Sequence, residues 1–280
     1  MPEGFAGEFD KALKAFGGIR QVARMFPTPD GRDIPWPTVD DTANVGELLG
    51  ENVAAAEQDV AFGQVVLKAF KYSSKIVLVS MELLQDSFFD IGTILNDLLA
   101  ERIGRITNTH FTLGTGSGQP QGVVVAAGLG KTGASGQTTT LIQEDIIDLE
   151  HSVDPLYRPG CSYMLADSTL KAIKKLKDST GRWLFQANNE ASLAAGNQGP
   201  NINGYPFTVN QDIAAMAASA KSVLFGNFGK YVVRDVREFA LLRLQERYAE
   251  KGQVGFIAFT RHDGRAINAN AIKYYINAAS

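Results

Sequence analysis

The chain has 280 residues, is 45% hydrophobic and 20% charged, and carries a formal charge of −3, which is ordinary globular usage with room for one large domain or two modest ones. These values exclude a disordered tail, a collagen-like chain, a coiled coil and a chain basic enough as a whole to grip nucleic acid. A single cysteine, Cys161, allows no internal disulfide, and it builds no zinc site with the scattered His110, His151 and His262. No apolar run is long enough for a transmembrane helix, and the first residues lack the basic-then-apolar layout of a signal peptide. A soluble chain made inside the cell is expected.

Phe5, Phe9, Leu13 and Phe16 align on one face and predict a helix over 5–16, stopped by Gly17 and Gly18. That stripe fits an internal core helix or an arm that buries its face on another subunit. A second apolar stretch, Ile19 to Phe26, runs into Pro27. Pro27, Pro29, Pro35 and Pro37 forbid helix beyond it. From Asp30 to Asp59 the chain holds eight acids against one base, Arg32, a local charge of −7. Alternating strand signals follow at Val60, Phe62, Val65 and Leu67, then at Ile76 to Val79. An acidic, proline-marked stretch between strand signals predicts a long hairpin, marginal in water unless it lies on a neighbour; a solvated surface loop fits the composition too.

Ile91, Ile94, Leu95, Leu98, Leu99, Arg102, Ile103 and Ile106 follow a helical period and predict a helix to about His110, capped near Asp86 or Ser87. It ends at the glycine-rich run Gly114-Thr-Gly-Ser-Gly-Gln-Pro-Gln-Gly122. Short strands and helices then alternate over 123–232: helices at 144–153 and 168–176, strands at 163–166 and 223–225, and a loop at 196–204. Strands are predicted at 231–233, 239–244 and 254–259, with a charged loop at 245–252, and a closing strand at 271–276. The fold class is α+β.

No stretch carries recognisable catalytic chemistry. The glycine run closes a helix instead of opening one, and Gln119 and Pro120 follow Gly118 where a phosphate loop needs Gly-Lys-Ser/Thr. No Gly-x-Ser-x-Gly elbow exists around Ser117 or Ser135. Cys161 lacks an identifiable base and reads as packed. The acid pairs Asp40/Asp41 and Glu144/Asp145 sit in a predicted loop and at a helix start, where acids are common. Lys171, Lys174, Lys175 and Lys177 form one basic cluster, which reads as a solvated helix face. No catalytic residue, cofactor or metal ligand is assigned.

Several stretches together are similar to one family. Phe62-Gly-Gln-Val-Val-Leu67 precedes Lys75-Ile-Val-Leu-Val-Ser-Met-Glu-Leu-Leu-Gln-Asp-Ser87. The long helix closes on Leu113 to Gly122. Leu176-Lys-Asp-Ser-Thr-Gly-Arg-Trp-Leu-Phe185 follows a helix, and Phe225-Gly-Asn-Phe228 precedes Tyr231 and Arg234. In order and separation these resemble the major capsid proteins of tailed bacteriophages, which have the Hong Kong 97-type fold. The resemblance covers about residues 20–278.

It implies an N-terminal arm over 1–26 and an extended loop over 27–75. It implies a peripheral domain from 76–122 and 233–263, with a long spine helix, and an axial domain from 123–232 and 264–280. The implied function is self-assembly as pentamers and hexamers into an icosahedral shell around the double-stranded DNA of a tailed phage, in the host cytoplasm. Partners would be further copies of the chain, then portal, scaffolding and decoration proteins, with DNA enclosed but not specifically bound and no membrane. The type member's covalent crosslink needs a loop lysine, and none lies between Lys14 and Lys68. Noncovalent contacts are expected instead, with the loop acids Glu47, Glu51 and Glu57 meeting Arg102, Arg105, Arg243 or Arg247. An encapsulin-like nanocompartment shell is the alternative within the same fold, and a soluble hydrolase the alternative outside it.

Overall fold

A computed structural model describes residues 18–39, 47–52, 54–55, 57, 62–86, 91–177, 180–181 and 201–280. The predicted helix over 5–16 lies outside them. The described chain opens on α1 (Gly18–Val22) and β1 (Arg24–Thr28). Gly18 is the first residue of α1. Its place is set by close approach, because a Cβ there would sit 3.0 Å from the Asn210 Cβ and 3.1 Å from the Val209 carbonyl oxygen.

Strands β2 (Ile34–Val39) and β3 (Phe62–Leu67) pair antiparallel as a two-stranded sheet of their own. Pro35 and Pro37 are two apart, so both turn the same edge of β2 away from β3, where their missing N–H groups break no ladder bond. The chain then returns through β4 (Phe70–Ser73) and β5 (Val77–Ser80) into α2 (Met81–Asp86) and the long α3 (Ile91–Leu113). At 23 residues α3 spans about 34 Å. It ends where Gly114 donates to the His110 carbonyl at 2.8 Å and Gly122 to the Gly114 carbonyl at 2.7 Å. Gly116 and Gly118 take left-handed φ of 81° and 69° inside that turn. The glycine run is therefore a helix-closing loop.

Next come α4 (Val123–Ala126), β6 (Gly128–Thr132), α5 (Gln143–His151), β7 (Ser162–Leu165) and α6 (Asp167–Lys174). Strands β8 (Asn201–Ile202), β9 (Tyr205–Val209) and β10 (Lys221–Gly226) follow. The chain finishes with β11 (Tyr231–Leu244), β12 (Gln253–Ala266) and β13 (Ile272–Ile276). The stretches predicted as separate strands at 231–233 and 239–244 form one strand of 14 residues, carried through a register shift between Val236 and Ala240.

Two larger sheets result. One is five-stranded, with β1 parallel to β11, β11 antiparallel to β12, and β12 pairing with both β4 and β5. The other is six-stranded in the order β6-β13-β10-β7-β9-β8. Residues 24–28 and 70–73, expected in the arm and the extended loop, are thus strands of the five-stranded sheet. That narrows the hairpin standing outside both sheets to about 34–67.

Leu99, Ala100 and Ile103 of α3 bury against Tyr72 and Ala258 on the five-stranded sheet. Tyr163, Leu165, Val223, Phe225 and Tyr275 form the core of the six-stranded one, beneath Ile146 and Leu149 of α5. A third cluster joins the two around Phe111, Val123, Met164, Leu224 and Tyr231. Polar bonds reinforce the junction. The Asn108 side chain accepts from the Ile19 amide at 3.2 Å and donates to Asn210 Oδ1 at 2.9 Å and Asp212 Oδ2 at 2.5 Å. Asn210 in turn donates to Thr112 Oγ1 at 2.8 Å.

Candidate assembly surfaces

The β2–β3 hairpin loses cover steadily along its length. Leu67 at its root is buried, Val66 and Val65 are half-buried, and Gln64 and Gly63 are exposed. Near the root it touches the sheet: the Trp36 ring stands edge-on to Phe26 at 5.5 Å and lies 5.7 Å from the Arg24 guanidinium. Glu47, Glu51 and Glu57, farther out, are all exposed. Between the first two stands Leu48, whose side chain is 102% exposed, with Leu49 at 46%. The two adjacent leucines stand exposed between acids.

Helix α3 carries the second surface. Its apolar period is wider than its own core uses. Leu95, Leu99 and Ile103 are buried, whereas Ile94, Leu98, Ile106 and Leu113 remain 40–48% exposed. The four-residue spacing of 94, 98, 102 and 106 places Arg102 in the same exposed row. A helix that is apolar on two faces offers a second surface for packing.

The predicted arginines lie on three elements. Arg102 is exposed on α3, and Arg105 forms an ion pair with Glu101 one turn earlier. Arg243 is exposed on β11, and with the Gln245 amide turned to accept, it donates to that oxygen at 2.9 and 3.1 Å. Arg247 lies 5.6 Å from the Tyr248 ring in the 3-10 turn Glu246–Lys251 that links β11 to β12. That turn was expected as a loop. It ends at Gly252, in the left-handed conformation at φ 61°. Tyr248 covers Gly255, where a Cβ would sit 3.0 Å from its ring.

One constellation escaped the sequence. Arg20 on α1 is buried and donates to both Asp235 carboxylate oxygens, at 2.8 and 3.1 Å. His262 Nδ1 lies 2.6 Å from the same carboxylate. Asp235 and His262 face each other across β11 and β12, so the first described helix is latched to the five-stranded sheet. Burial pushes the Asp235 carboxyl up, but the Arg20 charge and the His262 hydrogen bond outweigh it and hold the group well below the usual carboxylate range. A charge inside the apolar stretch Ile19–Phe26 was the only signal. Its partner is 215 residues away.

The residues screened for catalysis have structural surroundings. His110 Nδ1 is 2.9 Å from the Tyr72 hydroxyl, and burial pushes its pKa down. Cys161 is buried, points its thiol at the Tyr157 carbonyl at 3.2 Å, and is pushed up to about 11 by burial, with Arg158 opposing. Lys174 lies 5.7 Å from the Phe207 ring. Asp145 holds the Ile142 amide at 3.2 Å and so caps α5. Among the described residues, no group of three or more His, Cys, Asp or Glu side chains could hold a metal ion. None of the described helices is long and apolar enough to cross a membrane.

The described chain thus combines a five-stranded sheet packed on a long helix, a six-stranded sheet joined to it by a shared core, and a two-stranded hairpin outside both sheets. The model of the phage capsid family matches residues 1–276, and the chain belongs to that family. It is a major capsid protein, a subunit of the phage head shell with the Hong Kong 97-type α+β fold. Among solved structures, the capsid of a native GTA particle is 24% identical with a TM-score of 0.79, over 94% of this chain and 91% of that one. A chain from Mycobacterium phage Adephagia is 12% identical with a TM-score of 0.71, over 94% and 91%. One from Gordonia phage Cozz is 13% identical with a TM-score of 0.67, over 94% and 86%. No curated protein matches the chain in sequence.

Proposed function

We propose that the chain assembles as pentamers and hexamers into a closed icosahedral shell around double-stranded DNA, within the bacterial host cytoplasm. It serves as building material and not as an enzyme. The arm reaches to about residue 26, and the extended loop is the hairpin over about 34–67. The peripheral domain is the five-stranded sheet with α3, and the axial domain is the six-stranded sheet with β13. The loop lies across a neighbouring copy, with Leu48 and Leu49 on apolar surface and Glu47, Glu51 and Glu57 near Arg102, Arg105, Arg243 or Arg247. The turn Glu246–Lys251 meets its copies where three subunits join. Portal, scaffolding and decoration proteins complete the head.

The observation that carries this reading is the hairpin. An isolated two-stranded ribbon is marginal in water, yet this one extends away from both cores with leucines exposed at its far end. A closed shell also needs a heterologous interface whose rotation closes. A chain with net charge −3 suits a wall that encloses DNA without gripping it. Electron microscopy with light scattering of the purified chain tests the reading. Uniform closed shells, or pentamers and hexamers, are expected, and reversing charge in Glu47→Lys with Glu51→Lys should impair their closure. A monomer that stays monodisperse with scaffolding protein added would defeat it.

A further inference from the structure

Arg234 is the largest fully buried side chain among the described residues. A guanidinium taken out of water normally finds a carboxylate. Here the guanidinium donates to a hydroxyl and to three backbone carbonyls. Nε donates to Thr28 Oγ1 at 3.0 Å, and Nη2 donates to the Asp30 carbonyl at 2.9 Å. Nη1 donates to the Leu67 carbonyl at 2.9 Å and the Lys68 carbonyl at 3.1 Å. Thr28 and Asp30 precede β2, and Leu67 and Lys68 end β3. One planar fork therefore spans both roots of the extended hairpin.

Its cross-strand partner completes the grip. Asp263 lies directly opposite Arg234 in the β11–β12 register. It is buried, and its carboxylate accepts from the Lys68 amide at 2.5 Å and from the Gly264 amide at 2.8 Å. Lys68 is thus held by its N–H from one strand and by its carbonyl from the other. The next row of the same two strands, Asp235 and His262, points to the opposite face and holds Arg20 of the arm. Adjacent rows of one hairpin anchor the two extensions by which the subunit reaches outward.

We infer that Arg234, with Asp263, is the positioning residue that fixes where the extended loop leaves the peripheral sheet, and so aims it at the neighbouring subunit. The second half of this rests on the assembly proposed above; the first half does not. Burying a charge against backbone carbonyls is costly, and an apolar side chain would fill the same space more cheaply. What an apolar chain cannot do is hold both roots at once. Fixed aim matters because a hairpin over 34–67 magnifies a small rotation at its root into a large displacement at residues 47–51.

The test uses hydrogen exchange on the unassembled chain and electron microscopy of the assembled one, for Arg234→Met and Arg234→Lys. The first preserves bulk; the second preserves charge but not the fork. In both, the Lys68 amide should exchange on the order of tenfold faster or more than in wild type. Amides of β10 and β13 should be unchanged, and the yield of closed shells should fall in favour of open or irregular assemblies. A role in general stability alone would instead speed exchange through both sheets together. Unchanged exchange at Lys68 in either folded variant overturns the clamp. Faster exchange with normal shells overturns the aiming role and leaves the clamp. If neither variant folds, wild type decides: Lys68 should be protected like the amides of β12, and exchange as fast as Gln64 would overturn the inference. Exchange is read before assembly, so a wild-type chain that never forms shells would sink the proposed function without touching this result.

Discussion

The molecule contains two long antiparallel hairpins with opposite fates. β11–β12 pairs strands of 14 residues, and Val232, Val233, Val254 and Ala258 along it are fully covered. β2–β3 pairs strands of six residues, and among those whose burial is described only Leu67 is fully covered. Both contain β-branched and aromatic residues at strand spacing. The difference lies in what each rests on. β11–β12 has α3 on one face and the loop roots on the other; among the described residues, β2–β3 meets the rest of its chain near the root, at Arg24, Phe26, Arg234 and Arg265. Strand propensity makes a hairpin possible, and a partner surface makes it stable. Pro35 and Pro37 blunt the open edge of the uncovered one, which limits indiscriminate strand addition before the correct neighbour arrives.

This contrast predicts a gradient: substitutions should cost less folding stability as they move from the covered hairpin to the free one. The largest loss should come from Phe111→Ala. Phe111 is fully buried between α3 and β12, close to Gly264, where a Cβ would press on its ring. Truncation should cost about 3–5 kcal/mol, read as a lower denaturant midpoint with unchanged slope. A cost below about 1 kcal/mol would mean that β11–β12 does not depend on this core.

Next comes Asp235→Asn. It leaves the buried Arg20 without its charge partner and should cost about 3 kcal/mol near neutral pH. The sign of the pH dependence follows from the lowered pKa. The wild-type contribution is complete above the unfolded value of about 3.9 and is lost as pH falls from there toward the folded value. The gap between wild type and variant should therefore narrow on acidification below about pH 4. Urea unfolding across that range checks it; a gap that widens in acid would exclude the ion pair as its source.

The gradient also explains what could be read from sequence. The long helix announced itself because Leu95, Leu99 and Ile103 repeat at helical spacing. The same periodicity could not say that Ile94, Leu98 and Ile106 serve a different surface, since burial within a chain and burial between chains leave one signature. The acidic hairpin stood out because proline and charge are local signals. β1 did not: its parallel pairing with β11 joins residues more than two hundred positions apart, and Pro27 within it argued for a break. β6, with two glycines in Gly128–Thr132, has no alternation to detect. Arg234 and Asp235 made the middle of β11 look like a gap between strands. A buried charge becomes legible only once its partners, here Thr28, Lys68 and Arg20, are placed beside it.

Trp36→Ala probes the aromatic contact between the free hairpin and the sheet. The edge-on stack with Phe26 and the approach of Arg24 should be worth about 1 kcal/mol in the unassembled chain. Its loss should leave exchange in β11–β12 unchanged and speed it in β2 and β3. A global loss of several kcal/mol would mean that the hairpin is part of the folded core, and the contrast would fail.

The smallest effect on folding should come from Leu48→Ser. The side chain is fully exposed, so its replacement should change stability by less than about 0.5 kcal/mol. If the leucine packs on a neighbouring copy, the same substitution removes apolar area from an interface repeated over the whole shell. Even about 1–2 kcal/mol lost per contact then shifts the concentration at which shells form by roughly one order of magnitude, because every 1.4 kcal/mol is about tenfold. Light scattering against concentration should show that shift while denaturant curves of the free chain superimpose. Shells forming at the wild-type concentration would place Leu48 outside the contact and move the search to Leu49 and the outer face of α3. A variant that unfolds more easily would show that residue 48 already has a partner within its own chain.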